Sequence, residues 1–70
     1  MQNYKDYTDA TLRMPPKNVK VMVIFDDGDR DICFLDAWGV LHGEKERLIK
    51  GRKIARWKKI EKNDWGEYIW

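Results

Sequence analysis

The sequence predicts a mainly β protein: one compact antiparallel sheet of roughly three to five strands, built on a hairpin over residues 19–38. Two alternating runs and the turn between them carry this expectation. In residues 19–25, Val19, Val21, Val23 and Phe25 fall on one face and Lys20, Met22 and Ile24 on the other. Both faces are largely apolar, which predicts a central strand covered fully on one side and partly on the other. In residues 30–38, Ile32, Phe34, Asp36 and Trp38 alternate with Cys33, Leu35 and Ala37. Between the runs stands Asp26-Asp27-Gly28-Asp29, in which Asp tolerates left-handed dihedrals and Gly supplies a positive φ, as a tight hairpin requires.

The remaining elements follow in chain order. Residues 1–12 show no clean period and read as an irregular lead-in or one helical turn. Pro15 and Pro16 lack amide donors and bias Met14 away from the helical region, so the chain is extended there. Gly39 and Gly43 bracket Val40, Leu41 and His42, a bend or short third strand. Residues 44–50 have helical propensity up to Gly51, which makes the fold compatible with a small α+β variant. Residues 52–60 are ambiguous: Ile54, Trp57 and Ile60 suit a helix, Ala55 and Trp57 suit a strand. No Ser, Thr, Asp or Asn stands at the entry to cap a helix, and a short uncapped helix bears its full nucleation cost, so strand is favoured. Asn63-Asp64-Trp65-Gly66 reads as a turn and residues 67–70 as a terminal strand. No internal repeat, linker or low-complexity tract is expected.

Length and composition narrow the function classes. Seventy residues make a single domain, and a chain this short needs nearly all its large apolar side chains for its core. At 43% hydrophobic and 13% aromatic it is too apolar for a disordered chain. No apolar run is long enough to span a membrane, and the first residues do not lead into a secretory signal. The single cysteine, Cys33, excludes an intramolecular disulfide framework and a Cys-rich zinc site and fits a reducing, cytoplasmic compartment. The net charge of +2 hides an asymmetry, because residues 44–62 hold nine basic side chains against three acidic ones. Such a segment steers acidic partners unless its neighbours in the fold neutralise it.

The order of motifs resembles a known family. Arg13-Met14-Pro15-Pro16-Lys17-Asn18, the strand from Val19 to Phe25, the Asp-Gly turn, a second strand, and Ile54-Ala55-Arg56-Trp57-Lys58-Lys59-Ile60 are similar to the small bacteriophage and prophage domains of unknown function called DUF551. Arg56 stands where that family usually has His, and Lys58-Lys59 replace its usual Met-Pro. The resemblance implies a compact β-rich domain and a phage or prophage origin, and carries over no catalytic residue.

The candidate chemistries are few. Asp26, Asp27, Asp29 and Asp31 cluster, but an Asp27-led calcium loop would place Ile32 and Trp38 where Gly and Glu are needed, so a solvated turn is the simpler reading. Cys33 and His42 lack an orienting third group and an oxyanion motif, which favours structural roles for both. Paired carboxylates among Asp36, Glu61, Asp64 and Glu67 have little chain left over to build a substrate cleft. The reading is therefore of a non-enzymatic protein without cofactor or metal. Its expected partner surface comprises Arg52, Lys53, Arg56, Lys58, Lys59, Trp65, Tyr68 and Trp70, engaging a host or phage protein. The edge of the terminal strand serves as a docking or homodimer contact, and Trp70 is the tryptophan expected to stay available. Trp57 is expected in the core, while Trp65 divides evenly between core and surface. The alternative is a nucleic-acid module in which residues 50–59 neutralise phosphates and tryptophans stack on bases.

Overall fold

The computed structural model describes residues 6–45, 49 and 51–70. It holds a single open antiparallel sheet of five strands: β1 (Thr8–Asp9), β2 (Val21–Phe25), β3 (Arg30–Leu35), β4 (Leu41–Gly43) and β5 (Ile54–Lys59). The spatial order is β1-β5-β2-β3-β4. The predicted fold class is borne out, and no helix occurs among the described residues. In particular, none there is long and apolar enough to cross a membrane. The helical expectation for residues 44–50 falls mostly outside the described residues; Glu44 and Lys45 form a bend.

β2 is central because it is apolar on both faces, and all five of its residues are buried. Coverage is therefore complete on both sides, not partial on one. Val21, Val23, Phe25, Cys33 and Trp57 share one face and pack with Ala10 and Ile49. The chain between β1 and β2 crosses this face. Ala10 N–H donates to Ala55 O at 3.0 Å, the Trp57 indole N–H donates to Arg13 O at 2.7 Å, and Asn18 N–H donates to Leu35 O at 2.6 Å. Pro15 lies buried along this route. Asn18 turns the chain with a φ of 63°, so β2 begins at Val21 and Val19 stays 46% exposed, two residues later than its alternation suggests.

On the other face Met22, Ile24 and Ile32 are buried together with Lys58. The two ends of the described chain meet there. The Tyr7 hydroxyl donates to Trp70 O at 2.6 Å, and Arg30 stands over the Trp70 ring at 5.1 Å. Residues 67–70 thus form a cover and not the terminal strand the sequence suggests. Among the described residues their ladder contact is an isolated bridge between Lys62 and Tyr68. At the opposite end, Thr8 and Asp9 pair with Trp57 and Arg56, so part of the supposed lead-in is a sheet edge.

β5 resolves the helix-or-strand ambiguity through a bulge. Ile24 pairs with Arg56 and the next residue, Phe25, pairs with Ile54, which leaves Ala55 as an extra residue. That insertion turns Ile54 to the same face as Trp57, where it packs against the core. A spacing of three on one face mimics a helix, whereas an unbroken alternation would put Ile54 with Arg56 and Lys58.

One turn geometry recurs three times, although the sequence shows no long repeat. Phe25 N–H donates to Asp29 O and Gly28 N–H to Phe25 O; Asp36 and Val40 with Gly39, and Asn63 and Glu67 with Gly66, make the same pair of bonds. Each is a tight turn closed by a glycine at φ 87°, 81° and 78° respectively, the left-handed position that follows a type I turn in a bulged hairpin. In the 25–29 turn Asp27 Oδ1 accepts from Asp29 N–H at 2.9 Å, and in the other two the first residue is itself an Asx whose side chain reinforces the backbone. Asp36 Oδ1 accepts from Trp38 N–H at 2.9 Å and Val40 N–H at 2.8 Å, and Asn63 Oδ1 accepts from Trp65 N–H at 2.9 Å and Glu67 N–H at 3.0 Å. This Asx cap ends β3 at Leu35, before Ala37 and Trp38, which alternation alone had kept in the strand.

Candidate functional site

The basic segment is dispersed by the fold. Arg52 lies with its guanidinium 4.0 Å over the Phe25 ring, and its Nη2 reaches Asp27 Oδ2 at 2.8 Å and Asp29 Oδ2 at 3.1 Å. It clasps the β2–β3 turn to the start of β5. The amide of Asp29, and with it the Arg52 side chain, holds Asp27 below the usual carboxylate range; the amide of Arg30, then Arg52, does the same for Asp29. The acidic turn and the basic segment therefore neutralise each other where they meet.

Lys58 is 7% exposed, with its ammonium 3.2 Å from Glu61 Oε2 and 4.9 Å from the Tyr7 ring centre. Arg56 is half-buried and pairs across the strands with Asp9, whose carboxyl is held low by the Thr11 hydroxyl and amide, with Arg56 adding to the effect. Lys53 and Lys59 are exposed. Lys53 precedes β5 and Lys59 is its last residue, the two about 20 Å apart at the usual strand rise. Arg56 and Lys58 share the face of Met22 and Ile24, whereas Lys59 shares that of Val21 and Trp57. The expected surface of Arg52, Lys53, Arg56, Lys58 and Lys59 does not form one patch.

The aromatic members separate too. Tyr68 and Trp70 sit 6.2 Å apart with their rings tilted by 59°, each under a cation: Lys62 at 5.0 Å from Tyr68 and Arg30 at 5.1 Å from Trp70. They line a cleft of about 350 Å³ with Arg30, Ile32 and Lys45. Trp70 is half-buried there, so it is not the tryptophan left available. That role falls to Trp65 at 84% exposure and to Trp38 at 87%. Trp38 was missed because its alternation with Ile32 and Phe34 placed it in a strand. The signal that finds it is the common spacing in Asp36-Ala37-Trp38-Gly39 and Asn63-Asp64-Trp65-Gly66, an Asx residue two before a tryptophan that precedes glycine. Both indoles ride on turns whose backbones their Asx residues hold fixed.

The residues considered for catalysis are placed apart. Cys33 pairs with Gly43 while Phe34 pairs with His42, so the thiol and the imidazole point to opposite faces. Burial, with the nearby Asp31 charge, pushes the Cys33 thiol up to about 12, which keeps it protonated at neutral pH. His42 stacks on Phe34 with ring centres 5.0 Å apart, and its Nε2 lies 3.0 Å from Asp36 Oδ2. That contact, then the Val40 amide, holds the Asp36 carboxyl below its ordinary range. Asp31, buried, accepts from Ile32 N–H at 2.8 Å and Lys45 N–H at 3.1 Å, which fixes the bend after β4. Among the described residues, no three His, Cys, Asp or Glu side chains gather where they would hold a metal ion.

The fold and surface define a small open-sheet β protein with two presented tryptophans. Comparison with known families, with curated proteins and with solved structures finds no match to this chain.

Proposed function

We propose that the chain is a small non-enzymatic accessory protein of the phage or prophage kind. On this reading it acts in the cytoplasm of a bacterial host by binding a host or phage protein. The observation that carries the binding mode is the pair of exposed indoles on Asx-capped turns. A solvent-facing tryptophan on a turn fixed by its own hydrogen bonds is a typical interface anchor, because little backbone entropy is lost when it docks. The phage or prophage origin rests on the order of the motifs in residues 13–25 and 54–60, which resembles DUF551 domains.

The alternative, a nucleic-acid module, loses support from the dispersed cations. A phosphate track needs several free basic side chains along one face, and Arg52 and Lys58 are committed to carboxylates. The two readings part in one experiment: fluorescence anisotropy with short single- and double-stranded nucleic acids at about 50 and 200 mM salt. Protein binding predicts no saturable nucleic-acid signal at the lower salt. It also predicts that a specific partner captured from host lysate is lost on Trp38→Ala. Nucleic-acid binding that weakens about tenfold or more between those salts, and disappears in an Arg56→Glu, Lys58→Glu variant that still folds, would overturn it.

A further inference from the structure

A groove of about 360 Å³ opens beside the 36–40 turn, with Met14, Leu35, Leu41 and Ile54 among its lining residues. The charged side chains that line it are Arg52 and Lys53, both cationic. Arg52 is already paired with Asp27 and Asp29, whereas Lys53 is exposed and makes no ion pair among the described residues. The site is thus largely apolar, with the exposed Lys53 as its uncompensated cation. Its volume lies at the lower end of the range for ligand pockets, enough for one large side chain.

The chain itself presents the complementary shape and charge elsewhere. Trp65 is 84% exposed at the tip of the 63–67 turn, flanked by Asp64 and Glu67, both exposed. Asn63 Oδ1 accepts from the amides of Trp65 and Glu67, so the turn holds its shape before any contact is made. A tryptophan flanked in sequence by Asp64 and Glu67, the latter also accepting from the Asn63 side-chain amide at 3.2 Å, complements an apolar groove edged by Lys53 in both apolar character and charge. Trp65 remains exposed in its own chain, so the groove must take it from another copy.

We propose that the groove between Met14 and Leu41 receives the Trp65 turn of a second copy of this chain. Asp64 and Glu67 then face Lys53 at the rim. The two surfaces are different parts of the molecule, so the contact is heterologous: copies join head to tail, growing into short chains unless the geometry closes a ring. One turn in one groove is a small interface, below about 1,200 Å² in total, so association is weak and reversible. This goes beyond the protein-binding reading and does not depend on it, since a foreign partner can use Trp38.

Sedimentation velocity on the full chain from roughly 10 μM to 1 mM tests the proposal, this being the range in which small interfaces assemble. The weight-average sedimentation coefficient is expected to rise with concentration. Trp65→Ala should remove the rise, with an unchanged melting temperature showing that the fold survives. Lys53→Glu and Glu67→Lys should each weaken association about tenfold alone, and their equimolar mixture should recover it, because each altered surface then meets an opposite charge. Recovery on mixing is a result that no loss of folding can imitate. A wild-type chain that stays monomeric at 1 mM overturns the proposal, even if an acidic aromatic peptide binds the groove. So does a Trp65→Ala chain that associates like wild type.

Discussion

Trp57 should be the most costly of the four tryptophans to alter, and Trp57→Phe measures why. The side chain is 7% exposed in the core face of the sheet, and its indole N–H donates to Arg13 O at 2.7 Å. It therefore both fills the core and ties down the segment that crosses it. Phenylalanine keeps a ring but loses the donor, which costs about 0.5–1.5 kcal/mol for the hydrogen bond. The smaller ring leaves a void worth a further 1–2 kcal/mol or so, below the roughly 3–5 kcal/mol of a full truncation. The sum is about 1.5–3.5 kcal/mol. Seventy residues at the usual stability per residue give roughly 4–10 kcal/mol in all, so Trp57→Phe should fold but melt some 10–20 °C lower. Trp57→Ala should sit near the unfolding threshold.

Calorimetry and urea unfolding followed by circular dichroism provide the assay, with Trp38→Phe and Trp65→Phe as controls. Those two indoles are exposed, so their replacement should shift stability by no more than about 0.5 kcal/mol. The reasoning fails if Trp57→Phe is indistinguishable from the controls. It also fails if the loss appears without faster amide exchange at Asn18, whose N–H bonds to Leu35 O at the end of the crossing segment.

The turns and the carboxylates give two further expectations. Gly39→Ala should cost about 1–2 kcal/mol: the position has a φ of 81°, and a Cβ there meets no atom within 4 Å, so dihedral strain is the whole penalty. Gly66→Ala should cost less in global unfolding, because a single bridge between Lys62 and Tyr68 closes that hairpin and local opening relieves the strain; equal losses at the two sites would contradict this. Asp9, Asp27, Asp29 and Asp36 all have folded pKa values below their ordinary ones. A depressed carboxyl stabilises the fold fully above its unfolded pKa, near about 4, and that contribution is lost as pH falls through the folded value. Melting temperature should therefore hold level from about pH 5 to 7 with respect to these groups and drop below about pH 4. NMR titration should find the Asp36 midpoint below about 3.9, and a midpoint at or above that value would refute the assignment.

The hairpin was legible because its determinants are local: alternation in β2 and β3 and an Asp-Gly turn act within a few residues of one another. The pairing of β5 with both β1 and β2 was not, because it joins residues 29 to 49 positions apart in sequence and nothing in residues 1–12 announces a strand. The Ala55 bulge leaves β5 ambiguous in periodicity for a different reason, and strand is rightly favoured only for want of a helix cap. Inserting one residue converts a period of two into an apparent period of three, and a periodicity argument has no means of telling that from a helical turn. Trp38 was misplaced by the same reliance on alternation, which continued past Leu35 where the Asp36 side chain had already captured the backbone amides. Local hydrogen bonding from an Asx residue outcompetes the ladder, and the sequence carries that information in its spacing rather than its period.

The fate of the basic segment follows from where β5 is inserted. A strand packed between two neighbours must point its side chains to both faces, so consecutive cations cannot remain a stripe. β5 starts beside the acidic β2–β3 turn and ends beside Glu61, and each end meets a carboxylate: Arg52 finds Asp27 and Asp29, and Lys58 finds Glu61. The charge asymmetry of the linear sequence is thereby offset in part among the described residues. Beside the separated, exposed Lys53 and Lys59, what stays open on the described surface is apolar: two tryptophans on rigid turns and a groove lined by Met14, Leu35, Leu41 and Ile54. An exposed indole is held in water against its own transfer free energy, about 2–3 kcal/mol for a large side chain, and docking recovers that quantity where a Lys or Arg paired within its own fold has little left to gain. For this chain, recognition is therefore to be sought at Trp38 and Trp65 before the lysines and arginines of residues 50–59.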